Sequence, residues 1–180
     1  MISLALIAAW PGEAKVARTT LEKLFTASDR VVIGEVLEIE RVAGFKWAKT
    51  EVRRDIKGGG SSEILFLAEP TWTCDTSSAQ VGEQVLLFLV EAANPDTSWH
   101  FKSPNRAKLP RNSYLIAWSG RGHMPLRLVN GEQFATIWDD VVVPDEVAAT
   151  AGPAEYSFIR SYRLQDLLEV LTRPARRPGA

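Results

Sequence analysis

Apolar and polar positions change period several times along the chain, and each change marks an element. Lys15 to Ser28 follows helical spacing, with Ala17, Leu21, Leu24 and Phe25 on one side and Arg18, Glu22 and Lys23 on the other. From Asp29 the period shortens. Arg30 to Val42 is rich in β-branched residues, and Leu37 and Ile39 alternate with Glu38 and Glu40, which predicts a strand with one buried and one wet face. Gly34 within it predicts a bulge or a sharp bend. Gly44 turns the chain into a second strand, Phe45 to Ile56. Strict alternation puts Val52 and Ile56 inward, and Phe45, Trp47, Lys49, Glu51 and Arg53 outward together. Lys57 to Ser62 reads as a flexible glycine turn, and Glu63 to Leu67 as a third strand ended by Pro70. A loop with Trp72, Cys74 and Asp75 leads to Gly82. Gln84 to Val90 is almost wholly apolar, the pattern of a central strand buried on both faces.

Beyond Ala92 the pattern loosens. Ala92 to Asn112 is polar and interrupted by proline, an inserted loop in which Trp99 and Phe101 are the candidate anchors. Tyr114 to Trp118 returns to strand pattern. Arg121 to Val129 and Gln133 to Trp138 flank Asn130-Gly131, the strongest hairpin signal in the chain. Val141 to Val143 is a short strand stopped by Pro144, and Ala148 to Pro153 reads as a linker. Tyr156 to Tyr162 fits neither period. Leu164, Leu167, Leu168 and Leu171 give a short helix broken by Pro174, and residues 173–180 form a basic, proline-rich tail expected to be disordered. The expected fold is mainly β: an OB-like Greek-key β-barrel with a short N-terminal and a short C-terminal helix. Residues 15–172 form one domain in this reading, with the inserted loop at 92–112.

Composition narrows the function classes. Of 180 residues, 21 are Lys or Arg and 22 are Asp or Glu, so the formal net charge is −1 and weighs against a duplex-DNA binder. The single cysteine, Cys74, excludes an internal disulfide framework and a Cys-rich zinc site. Ile2 to Trp10 is an uncharged apolar run followed by Gly12-Glu13-Ala14, so residues 1–14 resemble a signal segment, although no basic residue precedes Lys15. The expectation is an exported protein, periplasmic or secreted. In the alternative the chain is cytoplasmic and the run packs on the domain. No stretch has the roughly 20 apolar residues of a transmembrane helix.

Several short motifs resemble one family. A helix ending in Ser28-Asp29 leads into Val31-Val32-Ile33-Gly34-Glu35-Val36. The second strand closes on Asp55-Ile56-Lys57-Gly58, and Val81-Gly82-Glu83 opens the central strand Gln84-Val85-Leu86-Leu87-Phe88-Leu89. Spread from Thr20 to Glu91, about half the chain, these resemble tissue-inhibitor-of-metalloproteinase-like, or netrin-type, domains of the uncharacterised bacterial kind. The resemblance implies an OB-like barrel. Inhibitors of that group chelate zinc through an N-terminal cysteine, and no cysteine precedes position 74 here. The inhibitory chemistry therefore transfers to no residue, and the resemblance implies architecture without activity.

Candidate chemistry is sparse. His100 and His123, with Asp139 and Asp140, are the residue types of a two-His, one-carboxylate metal site, but no ligand spacing links them. Cys74 lies in no nucleophile motif, and Gly58-Gly59-Gly60 lacks the ending of a phosphate loop. No catalytic residue and no cofactor are assigned. Aromatic and basic residues interleave on the second strand, as on surfaces that bind nucleic acid, protein or glycan. The candidate ligand-binding set is Phe45, Trp47, Lys49 and Arg53, with Trp99 and Phe101 of the inserted loop. The leading function is a non-enzymatic interaction module for a protein or glycan partner. The alternatives are a single-stranded nucleic-acid-binding OB fold, which the net charge weighs against, and a metal-dependent hydrolase.

Overall fold

A computed structural model of the chain describes residues 17–71, 74–93, 109–150 and 158–173. Trp99, His100, Phe101, the signal segment, most of the inserted loop and nearly all of the tail lie outside the described residues.

The N-terminal helix is shorter than the periodicity predicts. Thr19–Thr20 (β1) is extended, and Leu21–Ala27 (α1) begins where the Thr20 hydroxyl accepts the Lys23 N–H at 3.0 Å. Leu21 and Leu24 are buried. At the other end the Lys57 ammonium donates to the carbonyls of Phe25, Thr26 and Ser28 at 2.7, 3.0 and 2.6 Å. A cation thus satisfies the acceptors that a short helix leaves open.

Five strands close a barrel: Arg30–Val42 (β2), Phe45–Lys57 (β3), Glu63–Leu67 (β4), Gln84–Glu91 (β5) and Ser113–Ile116 (β6). Their order around it is β2-β3-β4-β6-β5 and back to β2, with β4 and β6 parallel and the other pairs antiparallel. This is the OB-like Greek key expected from the pattern. Two long strands can curl this tightly because their register slips three times, once beside Gly34. A Cβ at Gly34 would lie 2.7 Å from the Glu51 carbonyl oxygen, so only glycine admits the approach. Val32, Val36, Ala48, Ile64, Phe66, Val85, Leu87, Leu89 and Ile116 fill the interior.

β5 is buried on both faces, as its composition predicts. Val85, Leu87 and Leu89 point into the barrel, whereas Leu86 and Phe88 point into a second core. One edge of β5 pairs with β2. The other is divided: Leu89 to Glu91 pairs with β6, and Val85 to Leu87 pairs with His123–Val129 (β7). β7 then leaves the barrel at Pro125 and pairs from Leu126 onward with Glu132–Trp138 (β8) through the Asn130-Gly131 turn, φ 51° and 84°. Ile159–Arg163 (β11) and Ala149–Thr150 (β10) extend this sheet, and Val141–Val142 (β9) pairs in parallel with β1. The helix Leu164–Thr172 (α2) packs Leu164, Leu167 and Leu171 with α1, the outer face of β5 and the second sheet.

Boundaries shift where tertiary pairing overrides local pattern. The strand expected at Tyr114 to Trp118 ends at Ile116, and the one expected from Arg121 starts at His123. Part of the expected linker, Ala149–Thr150, is a strand. The glycine turn folds over a buried arginine: Arg30, 2 % exposed, donates through Nε to Asp55 at 2.8 Å and through Nη2 to the Ser61 carbonyl at 2.9 Å. Burial works against that charge, but Asp55 and the Tyr114 hydroxyl outweigh it and raise the Arg30 pKa.

Tyr162 lies in the second core, and burial raises its phenol above the usual 10.0 despite the opposing charge of Arg160. Between 10.0 and the raised value the folded chain keeps a proton that the unfolded chain has lost, so stability falls as pH rises through this window. Urea unfolding of the wild type should weaken across it, and Tyr162→Phe should remove that component of the decline.

Candidate binding groove

The face expected to bind is only partly a surface. Trp47 points away from the barrel interior, as alternation requires, yet its exposure is 0 %. Leu67, Ala92 and Leu115 cover it, with Phe45 and Leu109 packed at the margin, and its indole N–H meets the Val42 carbonyl at 3.3 Å. The two ends of the inserted segment thus build a small third core on the outside of the barrel, and Phe45 is half-buried in it. Trp47 is therefore corrected from contact residue to core residue. Lys49 and Arg53 do reach solvent, but both are engaged. Lys49 lies 3.3 Å from Glu63, and Arg53 lies 3.2 and 2.9 Å from Glu35 and Glu51. A face whose cations sit against carboxylates has little attraction for a polyanion.

The metal candidates do not converge. His123 is 7 % exposed, and its Nε2 lies 3.2 Å from Glu83. Asp140 is held by Arg121 instead, whose Nε is 2.9 and 2.7 Å from the two carboxylate oxygens. Asp139 is exposed, and its N–H donates to the Phe158 carbonyl at 2.9 Å. No group of three metal-ligating side chains occurs among the described residues. Cys74 is half-buried beside Asp75, whose carboxylate accepts the backbone N–H and hydroxyl of both Thr71 and Ser77.

These contacts nevertheless shape one concave site that local sequence does not signal. Between Ala117 and Gly122 the chain leaves the β5 edge. Phe88 bridges the gap, donating to the Gly122 carbonyl at 2.8 Å and accepting the Ala117 N–H at 2.9 Å. The excursion turns through Trp118, Ser119 and Gly120 at φ 54°, 53° and 86°. Gly120 sits so close to the 76–77 backbone that a Cβ would lie 2.5 Å from the Ser77 nitrogen. Arg121 reaches the Thr76 hydroxyl at 2.8 Å and stacks its guanidinium 4.8 Å from the Trp138 ring. Phe158 stacks against Trp138, centroids 5.4 Å apart and planes 12° from parallel.

The segment 76–84 thereby stands as one wall of a groove of ≈ 950 Å³, with β7 and β8 as its floor. The Glu83–His123 pair joins wall to floor. Val81, Leu128 and Phe158, 64, 70 and 41 % exposed, lie along it with Pro125 and Trp138. A second cleft of ≈ 1170 Å³ between the barrel and α2 is lined by charges of both signs, among them Arg53, Arg163, Glu132 and Asp166. The first groove is the better contact surface because Val81, Leu128 and Phe158 stand exposed along it among polar neighbours such as Ser78, Gln80 and Arg127.

No protein-family model matches the chain, and no curated protein matches it.

Trp47→Ala should destabilise the fold by about 3–5 kcal/mol, the cost of emptying a core site of that size, with the midpoint of urea unfolding as the measure. Lys49→Ala, on the exposed part of the same face, should change it by less than about 1 kcal/mol.

Proposed function

We propose that the chain is a non-enzymatic interaction module built on an OB-like barrel of tissue-inhibitor-of-metalloproteinase type, without the inhibitory N-terminal cysteine. One observation carries this reading. In a chain whose barrel interior is filled with side chains, three exposed apolar residues, Val81, Leu128 and Phe158, line one groove, Leu128 at its border with the second cleft. Such surface is costly to leave in water and marks a contact for a protein or glycan partner. Two sets of polar contacts support the groove's walls. Arg121 is committed to Asp140 and Thr76, and Glu83 to His123 and the Gln80 N–H. Groups bound in this way hold the groove's walls in place.

The partner is tested in the native host by placing a photoreactive side chain at Leu128 or Val81, with Glu22 on the exposed side of α1 as control. Adducts of one defined mass should form at both groove positions and be absent at Glu22. Phe158→Ala should weaken them. Adducts of equal yield at Glu22, or none in the groove, overturn the assignment.

Export is part of the reading, with Ile2 to Trp10 and Gly12-Glu13-Ala14 as the leader. Mass spectrometry of the protein from its host should then find a mature chain beginning at Lys15. A retained Met1 points to the cytoplasm.

A further inference from the structure

Closing a barrel removes strand edges, but β2 overshoots its partner. β5 pairs with β2 from Arg30 to Glu35, and the backbone of Gly82 and Glu83 carries the pairing one residue further, to Val36. From Leu37 to Val42, β2 pairs only with β3 among the described residues. The hairpin ends in a tight Ala43-Gly44 turn at φ 52° and 91°. Along its outer side the backbone groups of Leu37 to Val42 that point away from β3 have no strand to pair with among the described residues.

The side chains on this edge carry a definite charge pattern. The register sets Glu38 opposite Lys49 and Glu40 opposite Trp47 on the outward face of the sheet. Lys49 is drawn to Glu63 on its other side, and Trp47 has no charge to offer. Glu38 and Glu40 are both exposed, and neither has an ion pair or side-chain hydrogen bond among the described residues. Arg41 is on the opposite face, donating to the Gly44 carbonyl at 2.6 Å. The open edge therefore presents two unengaged carboxylates at alternate positions, facing the same way.

We propose that this edge takes up an extended segment of a partner protein by strand addition, and that the segment carries Lys or Arg at alternate positions facing Glu38 and Glu40. An added strand supplies the missing backbone hydrogen bonds and sets its side chains roughly 5 Å from those directly opposite, close enough for two ion pairs. The same geometry disfavours a second copy of this chain. Antiparallel self-pairing of the edge brings Glu38 and Glu40 against their own counterparts, and like charges directly opposite are destabilising. The proposal is independent of the groove, because none of these residues lines it.

The test is titration of the ¹⁵N-labelled chain with two capped five-residue peptides, one alternating Lys with Val and one alternating Glu with Val. The basic peptide should shift the backbone amides of Leu37 to Val42 progressively and slow their hydrogen exchange. The acidic peptide should leave them unchanged. In the double variant Glu38→Lys/Glu40→Lys the preference should reverse, with the basic peptide bound about fivefold more weakly. Equal responses to both peptides, or no change across Leu37 to Val42 at millimolar peptide, overturn the proposal and leave the carboxylates only as guards against edge pairing. Concentration-dependent dimerisation lost in the double variant overturns it in favour of a second copy. If the double variant fails to fold, the two peptides on the unchanged chain still decide.

Discussion

The structure depends on one strand being shared. β5 puts both faces into large cores, as β2 does through Val31 and Val32, and its second edge is divided between β6 and β7. Because Leu86 and Phe88 face outward, the barrel offers an apolar wall on which α1, α2 and the second sheet can pack. Because β6 and β7 lie end to end along one edge, the chain between them must leave the ladder and return to it. The excursion at residues 118–121 follows from that requirement, and so do the groove and the placement of Arg121.

That return is sterically demanding. Trp118 and Ser119 occupy left-handed backbone, where a side chain costs on the order of 1 kcal/mol. Gly120 and Gly122 permit approaches of 2.5 Å to the Ser77 nitrogen and 2.7 Å to the Phe88 carbonyl that no Cβ tolerates. The offsetting contacts come from three remote segments: Thr76 and Asp140 on Arg121, and the Ala17 carbonyl, which accepts the Trp118 indole N–H at 3.0 Å. Asp140 also accepts the Thr19 N–H through its backbone carbonyl, which ties the start of the described chain to the same node.

Much of the barrel is legible in the sequence because its determinants are local. Alternation located β2 to β5 within a residue or two, and Asn130-Gly131 located the second hairpin. The motifs that suggested a family are all fold-making. Lys57 caps α1, and a Cβ at Gly58 would meet the Asp29 carbonyl at 2.8 Å. Gly34 allows β2 to bend, and Gly82, at φ 82°, donates to the Val36 carbonyl at 2.7 Å as the chain enters β5. Residues of this kind specify a barrel and are silent about a ligand.

The candidate site was less legible, for a reason that Trp47 makes concrete. Alternation gives the side of the sheet for Trp47 but cannot say whether that side is wet. Past the register slips it fails even for the side: Ile56, expected inward with Val52, packs against the second core, and Leu37 is 41 % exposed. Whether Trp47 meets solvent is decided by Ala92 and Leu115, 45 and 68 positions away along the chain. The same holds for His123: it follows a turn-like Gly120-Arg121-Gly122 sequence, yet it is 7 % exposed and meets Glu83, 40 residues earlier. Patterns within a strand thus fix the direction of a side chain only between bulges, while its environment depends on the closure of the barrel. Glu38 and Glu40 are the converse case. Their alternation is plain in the sequence, but only the shortness of β5 relative to β2 turns a solvated strand face into an open edge with two unengaged charges.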